Sequence, residues 1–347
     1  MLAQRTYRRP SSREVASLGI GMTCVAPGGV IRAWALGACL CMPLLSGPLL
    51  AQIVLRDDFD APDFSPAGQL FYKKNAEQAA DGIRFQSDVV RAGSGALQLS
   101  VGEHCRKNDA DCSERAEVWE RPKTHVPYND GAWYAFSVKF GDPIPQDDHR
   151  YVIAQWKREI DDDALTDFSP LLAIRLNRGK LFVTVETDLV PVRRDVGAGT
   201  QARCEAGETP VWAQPGRSQV RALVAAQANW SPADGKLFDA CTAAIRVETH
   251  GGMLPAPESG WIDFVIHSKP GPKGDGRIEL IANGAWLATV TGQIGHDGPG
   301  LGLNQYFKFG PYRAAGVGTW TMYYDSFRRG PNCADVSEAG CPPLAGK

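Results

Sequence analysis

The chain has 347 residues, with 37 Lys and Arg against 39 Asp and Glu, a formal charge of −2, and 44% hydrophobic residues. That length is ample for a sizeable core, and the faintly acidic balance argues against a nucleic-acid-binding protein. Affinity for an acidic polymer would have to come from positive charge gathered locally.

The first fifty residues read as an export leader rather than as fold. "RAWALGACLCMPLLSGPLLAQ" (32–52) offers Arg32, a mostly apolar run, and small residues before a cleavage site after Ala51. Gly37, Pro43, Gly47 and Pro48 interrupt the run, so no stable membrane span is expected. The Arg8-Arg9 pair stands too far upstream, with the wrong flanks, for a twin-Arg signal, and a start at Met22 would give the leader an ordinary length. The leader (1–51) holds Arg5, Arg8, Arg9, Arg13 and Arg32 against Glu14, so its removal leaves a more acidic product, periplasmic or secreted. Residues 52–347 then form one domain, expected as a monomer, with 331–347 as a small disulfide-closed appendix.

"IVLRDDFDAPDF" (53–64) predicts an edge strand running into a loop. Short β patterns follow at 96–101, 132–140, 151–157, 171–176, 181–187, 261–267, 277–290 and 319–327. Asn283-Gly284, between two alternating apolar runs, predicts a hairpin turn. The best helical candidate is "SQVRALVAAQANW" (218–230), although its long apolar run gives no clean helical face. Region 188–260 reads as a long insertion tied down by Cys204–Cys241 and forming a wall of a cleft. Many short strands with Gly and Pro turns and almost no helix predict an all-β fold, a two-sheet sandwich or jelly roll.

Cys24, Cys39 and Cys41 lie in the leader, and six cysteines remain: Cys105, Cys112, Cys204, Cys241, Cys333 and Cys341. An even count in an exported chain implies bridges. Short loop closure favours Cys105–Cys112 and Cys333–Cys341, which leaves Cys204–Cys241. No pair has the close ligand spacing of a zinc site.

Successive side chains of a strand point to opposite faces. In "GLNQYFKFGPYR" (302–313) this puts Asn304, Tyr306, Lys308 and Tyr312 on one face, with Phe307 and Phe309 behind. In "SERAEVWE" (113–120), Arg115, Glu117 and Trp119 share a face, and in "VIAQWK" (152–157), Gln155 and Lys157 do. Side by side on one sheet, these three strands would make a groove rich in cations, amides and aromatics, suited to an anionic ligand.

The trio "ERAEVWE", "IAQWK" and "YFKFGPYR" resembles the signature strands of β-jelly-roll polysaccharide lyases. The first and third are similar to strands of alginate lyases; the closer likeness, with "WIDFVIHSK", "GRIELIANG" and "YYDSFRRG", is to the heparinase I and glucuronan lyase group. The likeness covers most of residues 53–330 as scattered motifs. It implies a concanavalin-like jelly roll with a concave cleft, and β-elimination on a polymer containing uronic acid, with glucuronan ahead of alginate or heparin-like chains. Cations or amide donors on the uronate carboxylate would stabilise the enolate-like state, while a base takes the C5 proton and an acid protonates the leaving O4. The resemblance assigns both proton transfers to Tyr312, with Lys308 and Arg313 as nearby cations. It assigns the carboxylate to Arg115, Gln155 and Lys157, and sugar contacts to Glu117, Trp119, Asn304, Tyr306 and Arg313. The alginate lyases place a His where Lys157 stands; His149 or His125 would supply an imidazole from a loop, and otherwise an alkaline optimum is expected.

Asp325 in "YYDSF" matches a position near a structural calcium in jelly-roll enzymes, with Asp58 or Asp263 as further oxygen ligands. No organic cofactor is expected. The rival readings are a non-catalytic carbohydrate-binding jelly roll and a glycoside hydrolase. The hydrolase needs two carboxylates across the cleft, and the run "EIDDD" (159–163) reads better as a solvated loop.

Overall fold

Alternation of apolar and polar side chains builds nearly everything in this protein. Between Ile262 and Lys269, for example, Ile262, Phe264, Ile266 and Ser268 are buried while the residues between them are half-exposed. The computed structural model describes residues 54–64, 70–72, 82–105, 112–164, 168–194, 203–214, 216, 218–230, 238–337 and 340–341. The expected leader, 1–51, lies outside the described residues. All described residues fall within one compact unit, Leu50–Lys347. None of them forms an α-helix, and no helix among them is long and apolar enough to cross a membrane.

The strands are β1 (Leu55–Asp57), β2 (Phe71–Tyr72), β3 (Ile83–Gln86), β4 (Ala96–Val101), β5 (Ser113–Arg115), β6 (Val118–Glu120) and β7 (Val126–Pro127). There follow β8 (Ala132–Phe140), β9 (Tyr151–Ile160), β10 (Leu172–Asn177), β11 (Lys180–Asp188), β12 (Thr209–Gln214), β13 (Gln219–Ala226) and β14 (Ala240–Thr242). The last are β15 (Ile245–Thr249), β16 (Ile262–Lys269), β17 (Gly271–Ala282), β18 (Ala285–Ile294), β19 (Leu301–Ala314) and β20 (Trp320–Gly330). One sheet has the order β15-β18-β17-β16-β8-β20-β4-β3, with β1 on β20. The other runs β14-β12-β13-β11-β10-β9-β19-β6-β2, with β5 and β7 also on β19. The two antiparallel sheets make a β-jelly roll.

The core between them is aromatic. Phe307 lies 4.6 Å from Trp156 and 5.8 Å from Phe327, and Phe309 lies 4.7 Å from Tyr324, ring centre to ring centre. Such pairs add about 0.5–1.5 kcal/mol each beyond their buried area. Phe307 and Phe309 therefore anchor β19 from behind, which leaves its other face for Tyr306, Lys308 and Tyr312. Asn283 and Gly284 take left-handed conformations (φ 48° and 77°), closing the β17–β18 hairpin at the expected turn.

Three segments differ from the sequence reading. The stretch 218–230 contains a strand, β13: Val220, Ala222 and Val224 alternate inward, a period of two that the helix template obscured. Region 188–260 is no insertion, since β12, β13 and β14 extend the larger sheet and β15 the smaller. The stretch 113–120 is two short strands, β5 and β6, with Ala116 and Glu117 between them. The reason lies opposite, at Gly310 (φ 125°), where an added Cβ would stand 2.0 Å from the Ala116 carbonyl oxygen. All three expected disulfides are present, Cys105–Cys112, Cys204–Cys241 and Cys333–Cys341. In the last segment, Cys333 and Val336 pack with Trp133 and Ile281 in a second, smaller apolar cluster.

Candidate functional site

The three polar strand faces are neighbours on the larger sheet. Tyr312 pairs in register with Arg115, and Lys308 with both Trp119 and Gln155; Tyr306 pairs with Lys157. Arg115 donates from Nη2 to the Tyr312 hydroxyl at 3.4 Å, and its guanidinium lies 4.2 Å from the centre of the Tyr312 ring. The register of β9 slips by one residue against both neighbours, between Ile174 and Arg175 on β10 and between Phe309 and Tyr312 on β19. Val152 thereby stands beside Arg175 on one side and Tyr312 on the other. The slip also carries Arg150 onto this face, 4.9 Å from the Tyr312 ring centre.

Further along the same face of β19 sits a buried ionic group. Glu117, 1% exposed, accepts from Lys308 Nζ at 3.2 Å on one oxygen and from Gln155 Nε2 on the other. Burial pushes the Lys308 ammonium down to about 8. Glu117 opposes that shift, whereas Lys157 and Arg115 add to it. Lys308 also lies 4.3 Å over the Trp119 ring. Glu117 therefore does not face a ligand as the sequence suggested; it orients Gln155 and Lys308. Arg115, Lys157 and Tyr312 are the half-buried groups that remain accessible.

One end of the face is walled by aromatic rings. Tyr306 stacks on His125 at 5.1 Å and leans on Trp119 at 5.7 Å. His125 Nδ1 meets Glu159 at 2.6 Å and Nε2 meets the Glu120 carbonyl at 3.1 Å, while Asn304 donates to the other Glu159 oxygen at 2.9 Å. Both His125 ring nitrogens are thus turned to protein oxygens, of Glu159 and Glu120, rather than to Tyr312. His149 is exposed in the loop before β9, with Nδ1 3.7 Å from Asp147. Arg313 must be removed from the binding set. Its opposite parity turns the guanidinium inward, where it bonds Glu114 Oε2 at 2.5 Å and the Gly318 carbonyl at 2.6 Å.

Sequence reasoning missed Arg150, Arg175, Glu186 and Arg221. Arg175 Nη2 and Arg221 Nε both donate to Glu186 Oε1, at 2.8 and 2.7 Å. Burial alone would raise the Glu186 carboxyl, but Arg221 and Arg175 hold it below its ordinary value. The signal was available in "LAIRLN" and "FVTVETD", where a charge interrupts apolar alternation. A cavity of about 500 Å³ opens here, lined by Arg150, Arg175, Arg221, Phe182 and Trp212 among others.

The expected calcium ligands do not fit a cation site. Asp325 is fully buried; one oxygen accepts the Arg91 and Ala92 amides, the other the Ser326 amide. Asp263 takes both a bidentate Arg91 and the Ser137 hydroxyl, and Asp58 pairs with Arg328. These donors occupy both oxygens of Asp325 and of Asp263, which calcium would need. The described residues that gather as possible metal ligands each include two disulfide-bonded cysteines, either Cys105 and Cys112 with His104 or Cys204 and Cys241 with Glu208.

Fold and site together define a jelly-roll protein whose larger sheet carries a cationic, aromatic-walled face around one accessible tyrosine. The polysaccharide lyase family model matches residues 65–328, and the chain belongs to that family: it is a polysaccharide lyase. No curated protein sequence matches it. Among solved structures, the endo-β-1,4-glucuronan lyase of the fungus Trichoderma reesei shares the fold. The two are 15% identical with a TM-score of 0.51, over 82% of this chain and 98% of that one. An alginate lyase of polysaccharide lyase family 7, AlgAT5, aligns at 12% identity and TM-score 0.36, over 72% of this chain and 84% of its own. A cellulose-induced protein, Cip1, aligns at 13% and 0.40, over 80% and 97%.

Proposed function

We propose that the protein cleaves a uronic-acid-containing polysaccharide, glucuronan-like before alginate or heparin-like, by β-elimination at Tyr312. The observation that carries this reading is a tyrosine hydroxyl within reach of Arg115, on a face that also presents Lys157 and the Lys308 ammonium held by Glu117. The Tyr312 phenolate takes the C5 proton, and the C–H electron pair becomes the C4–C5 double bond. The C4–O4 bond breaks and O4 receives the proton from Tyr312, so one residue serves as base and then acid when both groups lie on the same side of the ring. Arg115 and Lys157 meet the sugar carboxylate, and Lys308 adds positive charge where the enolate-like state develops.

A retaining or inverting hydrolase is less well supported, because the acidic side chains of this face are already engaged: Glu117 by Lys308, Glu186 by two arginines and Glu159 by His125. We also propose export, with the leader removed after Ala51. Three disulfides fit an oxidising compartment.

The test is ultraviolet absorbance of the purified chain with glucuronan, alginate, hyaluronan and heparin. A rise from the new double bond is expected with at least one polymer, and Tyr312→Phe is expected to reduce it by at least a thousandfold while retaining binding. New reducing ends without the absorbance would convert the reading to hydrolysis. Binding without either signal would make it a carbohydrate-binding protein.

A further inference from the structure

The cavity beside Tyr312 has features that cleavage of one sugar does not use. Three guanidinium groups, Arg150, Arg175 and Arg221, line it, and the buried Glu186, which does not, accepts from both Arg175 and Arg221 on Oε1. Asp148, also on its rim, is committed to Arg178 at 2.8 Å. The group therefore holds more positive than negative charge in a partly desolvated place. Arg175 reports this: burial, with Arg221 and Arg150 nearby, pushes its guanidinium down to about 9. Arg221 spends Nε on Glu186, and its Nη groups carry no hydrogen bond among the described residues. Trp212 and Phe182 supply apolar ring faces, with the Arg221 guanidinium 4.9 Å from the Trp212 ring centre.

Position decides what this charge serves. Arg175 on β10 and Tyr312 on β19 flank Val152 of β9, two strand spacings apart, roughly 10 Å. Arg221 lies two strands further along the same sheet. A single sugar ring does not bridge that distance, whereas a chain laid across the strands does. We propose that the cavity is a second acidic-sugar subsite, where Arg221 and Arg150, backed by Arg175, hold the carboxylate of a sugar neighbouring the one cleaved at Tyr312. This rests on the reading that the groove takes a uronate polymer. The groove then recognises two carboxylates at a fixed separation, and the second explains why charges that take no part in elimination are gathered there.

Calorimetric binding of size-graded glucuronan oligosaccharides to the Tyr312→Phe chain, which holds substrate uncleaved, tests the subsite. Adding Arg221→Gln is expected to weaken binding of long oligosaccharides tenfold or more, with a much smaller loss on the shortest one that binds. Carboxyl-reduced oligosaccharides are expected to bind both chains equally. Trp212→Ala, which leaves the Glu186 ion pairs in place, is expected to show the same length dependence. Equal loss at every length, no loss, or no binding at all would overturn the subsite. Absence of elimination by the chain with Tyr312 intact would sink the lyase chemistry on uronates while leaving this binding comparison to stand or fall separately.

Discussion

Lys308 sets a limit on the chemistry that Tyr312 is proposed to perform. At 3% exposure its ammonium is desolvated, and Lys157 and Arg115 add like charge, so it loses its proton near pH 8, well below the usual lysine range. If that positive charge stabilises the developing enolate, kcat/KM falls on the alkaline side with an apparent pKa of about 8. Lys308→Arg, whose guanidinium stays charged, is expected to move this limb upward by at least one pH unit; an unmoved limb would assign it to another group. For stability the sign is opposite. Between about pH 8 and the ordinary lysine value of 10.5 the unfolded chain holds the proton that the folded chain has released, so Lys308 makes the fold relatively more stable as pH rises through that window.

Strands β6 and β20 belong to different sheets, yet Glu120 on β6 takes Arg329 of β20 at 2.6 Å and the Phe307 amide at 2.9 Å. Glu120 is fully buried and the Arg329 side chain only 8% exposed. Removing one partner of such a pair leaves an uncompensated buried charge, which costs about 3–5 kcal/mol. Arg329→Ala is therefore expected to lower ΔG of unfolding by about that amount, read from the denaturant midpoint. A loss under about 1 kcal/mol would show that water reaches Glu120. The same pair holds Phe307 and so the back of β19. Element existence was legible from alternation alone: β4 and β8 match their expected bounds residue for residue. β13 was not legible, because an alanine-rich run satisfies both a helical and a strand period, and only its pairing with β11 and β12 resolves the ambiguity.

For the whole molecule, the two sheets are tied across the core by pairs such as Glu120–Arg329, and the expected calcium ligands are engaged by protein donors. Chelation with EDTA is therefore expected to leave Tm unchanged within a degree; a drop of several degrees would show that a cation contributes to folding. The sequence by itself determined the all-β class and the parity that puts Arg115, Gln155, Lys157, Lys308 and Tyr312 on common strand faces, while the cysteine pairing it favoured from short loop closure was decided by the fold. Class and parity follow from local geometry, since a side chain's direction in a strand depends only on its neighbours. Tertiary structure alone decided that Glu117 is buried, that a one-residue slip in β9 brings Arg150 beside Tyr312 and sets Arg175 across Val152 from it, and that distant strands enclose the cavity. Burial, register and the desolvation that shifts Lys308 depend on which strands become neighbours, and the strands that matter here lie up to about two hundred residues apart in the chain.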